Sequence, residues 1–87
     1  MTKAKVTIYT TQFCPYCVRA KNLLNQKGVP FTEVNLEGKP EELAALKERT
    51  KWRTVPQIFI NDKLIGGFTE LLALENSKEL DKLLGES

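Results

Sequence analysis

Two cysteines separated by two residues, Cys14 and Cys17, are the only cysteines in this 87-residue chain, which contains no histidine. A disulfide between residues three apart closes a very short loop, so it restricts the unfolded chain little and is a poor structural staple. A structural zinc site takes about four Cys or His ligands, which one chain of this composition does not supply. The fold must therefore rest on a hydrophobic core. We expect a single domain over residues 1–87, because a chain this short has room for one core.

Charge and hydropathy exclude several classes of partner. The chain has thirteen Lys and Arg residues and eleven Asp and Glu residues, which give a net charge of +2. Because the two signs are interspersed along the sequence, we expect no nucleic-acid partner. No stretch approaches the roughly 20 apolar residues that a membrane helix needs, so we expect no membrane partner. The basic residues near the amino terminus precede no apolar run of the kind that a secretory signal requires. We therefore expect a monomeric, cytoplasmic protein, in a compartment where structural disulfides do not persist.

Alternating and helical patterns follow one another along the chain. Alternating or β-branched residues predict strands at 5–9, 31–36, 57–60 and 64–65, with a turn of three polar residues at 61–63 between the last two. Amphipathic stretches predict a helix from Pro15 that stops at Gly28, a second helix opened by Pro40, a third capped by Thr69 and a last one capped by Ser77.

The order is therefore β-α-β-α-β-β-α with a final helical segment, which predicts an α/β fold. A strand, a crossover helix and a parallel strand, followed by an antiparallel hairpin, give a four-stranded mixed sheet with helices on both faces. The first strand is expected at the centre of this sheet. Cys14 then lies at the carboxyl end of a central strand, where open α/β sheets place their sites.

The position of the two cysteines on the first predicted helix assigns them different chemistry. Pro15 suits the first helical position, so Cys14 precedes the helix at its positive end, and Cys17 lies one turn inside on the same side. We expect Cys14 to be the attacking thiolate, stabilised by the helix dipole and nearby backbone N–H groups. Cys17 is expected to be the resolving thiol. The spacing alone leaves three interpretations open: dithiol exchange, half of an intermolecular metal or cluster site, or two thiols without special chemistry.

Three short motifs in a fixed order resemble those of the glutaredoxin family. They are Cys14-Pro15-Tyr16-Cys17, Thr54-Val55-Pro56 and Gly66-Gly67. The resemblance extends from the first predicted strand to the last helix, and it implies the thioredoxin fold and a glutathione-dependent reduction of protein disulfides and protein–glutathione mixed disulfides. By this resemblance, Cys14 attacks the substrate and becomes glutathionylated. A second glutathione then releases it in the monothiol route, or Cys17 closes a disulfide with it in the dithiol route.

The same resemblance implies where glutathione binds, with no metal expected. It makes the Val55–Pro56 peptide bond cis, so that the Val55 backbone faces the sulfurs and pairs with an extended cysteinyl peptide. Thr69 would receive the γ-glutamyl carboxylate near a helix start, and Phe68 stands where many relatives have a third cysteine. The full set of glutathione-binding residues implied in this way is Tyr16, Thr54, Val55, Pro56, Phe68 and Thr69.

Two departures from the family pattern concern the glycyl carboxylate of glutathione. Many relatives have a lysine three residues before the first cysteine, and this chain has Thr11. A polar residue that relatives use on the second helix has no clear match here, and the candidates are Arg49, Lys47 and Arg53. The resemblance therefore implies a lower affinity for glutathione than is typical. Trp52 is interpreted as a packing or loop residue.

The sequence leaves two rival functions open. The first is a thioredoxin-like hydrogen donor, for example to ribonucleotide reductase, that is reduced by thioredoxin reductase. Thr10-Thr11 in place of a lysine favours this rival, whereas Gly66-Gly67-Phe68-Thr69 is more typical of glutathione users. The second is an iron–sulfur carrier whose dimer holds a [2Fe–2S] cluster through Cys14 and glutathione. Pro15 argues against the carrier, because it stiffens the turn that would have to adapt to the cluster.

Overall fold

The computed structural model describes residues 4–84, which form four strands and four helices in the predicted order. The elements are β1 (Val6–Thr10), α1 (Pro15–Gln26), β2 (Thr32–Asn35), α2 (Pro40–Thr50), β3 (Gln57–Ile60), β4 (Lys63–Gly66), α3 (Phe68–Asn76) and α4 (Glu79–Leu83). None of the helices in this part of the chain is both long enough and apolar enough to span a bilayer.

The four strands form one mixed sheet in the order β2-β1-β3-β4. β1 runs parallel to β2, with Thr10 opposite Asn35, and antiparallel to β3, with Ile8 opposite Ile58. β3 and β4 form the predicted antiparallel hairpin. The prediction that β1 is central is confirmed, and α1 is the crossover between the two parallel strands. The chain therefore leaves the carboxyl end of β1 and enters the amino end of α1 directly at Cys14.

The hydrophobic core lies on one face of this sheet. Alternate residues of β1 point into it, so Val6 and Ile8 are buried. The remaining members come from β3, α1, the loop after α1, α3, α4 and the C-cap of α4: Ile58, Ile60, Ala20, Leu24, Val29, Leu71, Leu80 and Leu84. α2 covers the other face, where buried Leu46 lines a shallow groove together with Tyr9 and Leu36. The prediction of helices on both faces is confirmed.

The turn of the hairpin is shorter than predicted. Asn61 and Asp62 alone connect β3 to β4, and both have positive φ angles, of 53° and 66°. Positive φ at both central residues is typical of the tight type I′ turn, which matches the twist of paired strands. Lys63, predicted to be in the turn, therefore begins β4, and this strand continues to Gly66.

Two predicted helix caps are wrong. α3 begins at Phe68 with Gly67 as its N-cap, so Thr69 is its second helical residue. The Glu70 carboxylate reaches back to accept a hydrogen bond from the Gly67 N–H at 2.9 Å, which moves the start of the helix before Thr69. Ser77 is the C-cap of α3, because its N–H donates to Ala73 O at 3.0 Å. The residue that precedes α4 is Lys78.

Candidate active site

Cys14 occupies the N-cap of α1, as predicted. Its backbone is extended, with φ −110° and ψ 102°, and Pro15 follows in the first turn. The Sγ atom accepts a hydrogen bond from the Cys17 N–H at 3.2 Å, in the place where a Ser or Asp oxygen usually caps a helix. The positive end of a helix favours negative charge on a group in this position. The local sequence thus places a sulfur where a thiolate is stabilised.

Cys17 lies one turn deeper and is buried, with 2% of its surface exposed, whereas Cys14 is partly exposed. Burial raises the pKa of Cys17 to about 12, and hydrogen bonding with Cys14 acts in the same direction. A hydrogen bond from the Thr11 backbone and the charge of Lys21 lower this pKa by smaller amounts. Cys17 is therefore a protonated thiol near neutral pH, and only the sulfur of Cys14 is presented to solvent.

The loop before β3 lies against the exposed sulfur. The Val55–Pro56 peptide bond is cis, as the family resemblance implies. The Cys14 thiol lies 3.7 Å from Val55 O, with the thiol as donor. Pro56 is buried and Thr54 is exposed. The structure therefore brings the Val55 backbone next to the reactive sulfur, at the start of β3.

The paired glycines hold the start of α3 close to this loop. Gly66 has a φ of +127°, and a Cβ atom added there would lie 2.7 Å from Cγ of Glu70. A Cβ atom on Gly67 would lie 3.4 Å from Pro56 O, so its backbone passes close to the cis proline. No larger side chain fits at Gly66 without moving Glu70. The amino end of α3 is in this way packed beside the Val55–Pro56 segment.

Two aromatic rings connect the starts of α1 and α3. Tyr16 and Phe68 stack with ring centroids 6.3 Å apart and an interplanar angle of 27°. The Arg19 guanidinium lies 5.5 Å from the centre of the Tyr16 ring, so this cation contacts the ring. Thr54 and Thr69 are exposed, and within residues 4–84 neither forms a hydrogen bond to a cysteine. Of the predicted site residues, the structure thus places Val55 against Cys14 and stacks Phe68 on Tyr16.

The basic residues proposed from the sequence line grooves other than the one that contains the cysteines. Arg49 lies near Tyr9 and Phe59 on the α2 face of the sheet, and Lys47 and Arg53 line a groove along α2. By contrast, Thr11 does line the groove that contains both cysteines, as the sequence position suggests. Among the described residues, the cation in that groove is Lys21.

Neither Lys21 nor Glu33 is among the site residues predicted from the sequence. In the structure the two form an ion pair, with Nζ 3.0 Å from Oε2, and Glu33 Oε2 also accepts from Thr10 Oγ1 at 2.7 Å. The available signal was the spacing of four between Cys17 and Lys21, which puts both on one face of α1. The sequence around Glu33, its partner on β2, did not indicate this pairing.

A buried polar network supports the loop that carries Val55. Gln57 is fully buried, its Oε1 accepts from Thr50 Oγ1 at 2.9 Å, and its Nε2 donates to Trp52 O at 2.7 Å. This network ties the end of α2 to the start of β3. Trp52 packs as interpreted from the sequence. Its indole Nε1 is buried without a hydrogen-bond partner among residues 4–84, 3.8 Å from the position of a Cβ on Gly67.

Comparison with known proteins identifies the relatives of this chain. Residues 6–65 match the family model described as Glutaredoxin. The chain is 52% identical over 79 residues to a glutaredoxin of Pseudomonas aeruginosa, covering 91% of this chain and 94% of the relative. It is 47% identical over 81 residues to glutaredoxin 3 of Escherichia coli K12, covering 93% of this chain and 98% of the relative.

A solved structure, that of the buckwheat glutaredoxin–glutathione complex, superposes with a TM-score of 0.87 at 28% identity. The superposition covers 97% of this chain and 79% of the buckwheat chain. The similarity thus includes the sheet, the helices and the loops around Cys14. By fold, by family model and by sequence identity, the chain belongs to the glutaredoxin family, with its thioredoxin fold, and is a thiol–disulfide oxidoreductase.

Proposed function

We propose that this protein is a glutathione-dependent oxidoreductase that reduces protein–glutathione mixed disulfides and protein disulfides. One observation carries the proposal: a partly exposed sulfur at the N-cap of α1 lies beside the Val55 backbone, with a buried thiol one turn behind it. The sulfur supplies the nucleophile, the backbone supplies a docking edge for a cysteinyl peptide, and the buried thiol supplies an internal resolving group.

Glutathione would bind along the ledge formed by β3 and α3. As an extended peptide, it pairs its backbone with the N–H and C=O of Val55. The carboxylate of its γ-glutamyl end reaches the start of α3, where the N–H groups of Phe68 and Thr69 precede the first intrahelical bond. The Thr69 hydroxyl is exposed at the same end. Tyr16, Thr54 and Pro56 complete the walls. The buckwheat relative forms a complex with glutathione, which supports glutathione as the ligand.

In the monothiol route, the Cys14 thiolate attacks the glutathione sulfur of a mixed disulfide. A Cys14–glutathione disulfide forms, the bond to the protein sulfur breaks, and the protein thiolate leaves and takes up a proton. The thiolate of a second glutathione then attacks the bound glutathione sulfur. Glutathione disulfide is released, and Cys14 is restored as a thiolate.

In the dithiol route, Cys17 gives its proton to solvent and attacks Cys14 within a mixed disulfide. The bridge between Cys14 and Cys17 forms, the bond from Cys14 to the substrate sulfur breaks, and the substrate thiolate leaves and takes up a proton. Two glutathione molecules then reduce the bridge and are released as glutathione disulfide. The raised pKa of Cys17, about 12, keeps this thiol protonated near neutral pH, so it does not compete for substrate. Its place behind Cys14 lets it act once Cys14 carries a substrate. The roles of attacking and resolving sulfur follow from this difference in burial.

Thr11 is the feature that favours the alternative, a hydrogen donor reduced by thioredoxin reductase. A neutral hydroxyl binds the glycyl carboxylate of glutathione less strongly than a lysine does. We propose accordingly that the affinity for glutathione is lower than in relatives with the lysine. The cytoplasm, the monomeric state and glutathionylated proteins as partners belong to the same proposal.

The test is a turnover assay with a peptide that carries one glutathionylated cysteine. We expect turnover when glutathione and glutathione reductase supply electrons, none with Cys14→Ser, and little when thioredoxin reductase replaces them. Turnover with thioredoxin reductase but not with glutathione would overturn the proposal in favour of the donor. A brown preparation with visible absorbance under anaerobic purification would favour the iron–sulfur carrier instead.

A further inference from the structure

A second surface meets the cysteines on the side away from Val55. It is a groove of about 590 Å³ between α1 and β2. Because β2 and β3 flank β1 on opposite sides, this groove and the proposed glutathione ledge approach Cys14 from opposite directions. Its lining residues are Thr11, Gln12, Phe13, Cys14, Pro15, Cys17, Val18, Lys21, Glu33 and Asn35.

The charged groups in this groove are held in fixed positions. Lys21 follows Cys17 by four residues, so both side chains lie on one face of α1. Its ammonium group is 3.0 Å from Glu33 Oε2, and the same oxygen accepts from the hydroxyl of buried Thr10 at 2.7 Å. Glu33 lies opposite Ile8 in the sheet. The lysine head group is in this way anchored to the sheet beside the cysteines.

Charged side chains on the neighbouring elements interact with other partners. On the loop after β2, Glu37 accepts a hydrogen bond from the Gln12 N–H at 3.0 Å. On α3, Glu70 is bound to the Gly67 N–H, and on α1 itself Arg19 contacts the Tyr16 ring. The ionisable side chains that line the groove, apart from the cysteines, are Lys21 and Glu33. Apart from the two cysteines, this ion pair therefore supplies the ionisable groups of the groove, and the charge of Cys14 also acts on Cys17.

Of the pair, Lys21 acts on the pKa of Cys17, and Glu33 acts on Lys21. The charge of Lys21 lowers the pKa of Cys17 against the larger effect of burial. Hydrogen bonding from Thr10, followed by Lys21, lowers the pKa of Glu33, so this carboxylate is ionised at neutral pH and offsets part of the lysine charge. The buried thiol thus faces a cation whose influence a neighbouring anion reduces.

We propose that Lys21 is a positioning residue for the resolving step, in which its ammonium group favours the thiolate form of Cys17 and Glu33 both anchors and moderates that group. The inference deepens the dithiol route of the proposed function and rests on it. The Cys17 thiol gives its proton to solvent, and its sulfur bonds to Cys14 Sγ. The bond from Cys14 Sγ to the substrate sulfur breaks, and the leaving thiolate takes up a proton. Lys21 keeps its protons throughout.

Substitutions at the two positions distinguish this role from a structural one. Lys21→Met removes the cation and slows attack by Cys17. Glu33→Gln keeps the shape of the side chain but removes the charge that offsets Lys21, so it accelerates the same step. The expected changes are roughly two- to fourfold in rate, since the charges are partly screened and a lower pKa also weakens the nucleophile. A structural ion pair would instead give the same direction of change in both variants.

The measurement uses 5,5′-dithiobis(2-nitrobenzoate), which loads Cys14 and releases one coloured thiolate. Closure of the disulfide by Cys17 then releases a second, whose rate reports the resolving step alone. Glutathione takes no part, so a failure of this test is separate from a failure of glutathione dependence. Cys17→Ser, which gives only the first release, is the reference. Lys63→Met, an exposed lysine on β4, is the matched control and should leave both rates unchanged.

A slower second release in Lys21→Met, a faster one in Glu33→Gln and a normal one in Lys21→Arg would support the proposal. Changes of the same sign in the first two variants, or equal changes in both releases, would overturn it. The Lys21 and Glu33 side chains are 30% and 32% exposed, so the variants should fold. If Glu33→Gln does not fold, the comparison of Lys21→Met with Lys21→Arg decides, because only loss of the charge should slow closure of the disulfide.

Discussion

Different chemical groups line the two sides of the redox centre. On the β3 and α3 side, Cys14 meets the Val55 backbone, the Tyr16 ring stacks on Phe68, and Gly67 packs against the cis proline. On the β2 side, the cysteines share a groove with an ion pair. Backbone and rings recognise an extended peptide of varied sequence, whereas fixed charges act on ionisation. In the two proposals above, binding and proton control are thus divided between two surfaces that meet at the Cys14 sulfur.

The largest expected effect separates the two sulfurs. Cys14→Ser should abolish turnover of a glutathionylated peptide, because no other thiol is both exposed and at the helix end. Cys17→Ser should retain much of this monothiol turnover, since glutathione replaces the resolving thiol. Initial rates in the coupled glutathione reductase assay measure both. An active Cys14 variant with a dead Cys17 variant would reverse the assignment of the two roles.

The burial of Cys17 predicts a pH-dependent stability. The pKa of Cys17 is raised from 9.0 to about 12, so the folded state keeps a proton that the unfolded state loses. This contribution is complete below pH 9 and is lost as the pH rises towards 12, at about 1.4 kcal/mol per pH unit. Urea unfolding between pH 8 and 11 should show a flatter pH dependence for Cys17→Ala. Equal slopes would mean that the thiol is not buried in solution.

The paired glycines test the packing of the ledge. Gly66→Ala should lower the free energy of unfolding by about 1–3 kcal/mol, because a side chain at φ +127° is strained and its Cβ would meet Glu70 at 2.7 Å. Gly38→Ala is the matched control, since that glycine also has positive φ but no atom of residues 4–84 lies within 4 Å of its added Cβ. Urea unfolding should rank Gly66→Ala as the more damaging change. The reverse order would contradict the close approach of α3.

A smaller effect is expected from the stacked rings. Phe68→Ala removes the partner of Tyr16, an aromatic contact of about 0.5–1.5 kcal/mol. We expect KM for the glutathionylated peptide to rise a few-fold with little change in kcat, because the rings contribute to binding rather than to chemistry. Leu72→Ala, a partly exposed residue on the same helix, serves as the control. A fall in kcat without a change in KM would place Phe68 in the chemical step.

Local signals were sufficient for the framework of the fold. Alternation and turn residues gave the element order, and Pro15 after Cys14 gave the helix start that the structure confirms. The cis Val55–Pro56 bond followed from the resemblance, because a single X-Pro sequence does not reveal its isomer. The start of α3 was misplaced since Gly67, a weak cap by itself, is supported by a carboxylate three residues later.

Contacts between distant segments account for what the sequence did not reveal. Lys21 and Glu33 are twelve residues apart and meet only because β2 returns beside β1. Gln57 reads as an ordinary polar residue at a strand start, yet it is fully buried by partners from the end of α2. Neither the charge of a side chain nor its polarity indicates which other element will be packed against it.

Trp52 gives the molecule an optical reporter of its own. It is the only tryptophan in the chain. Its buried indole N–H lies next to Gly67, at the amino end of α3, where a ligand carboxylate is proposed to bind. Indole emission responds to nearby charge and to changes in polarity. Occupancy of the ledge should therefore be readable from intrinsic fluorescence in the unlabelled protein, whereas events in the opposite groove should leave the signal unchanged.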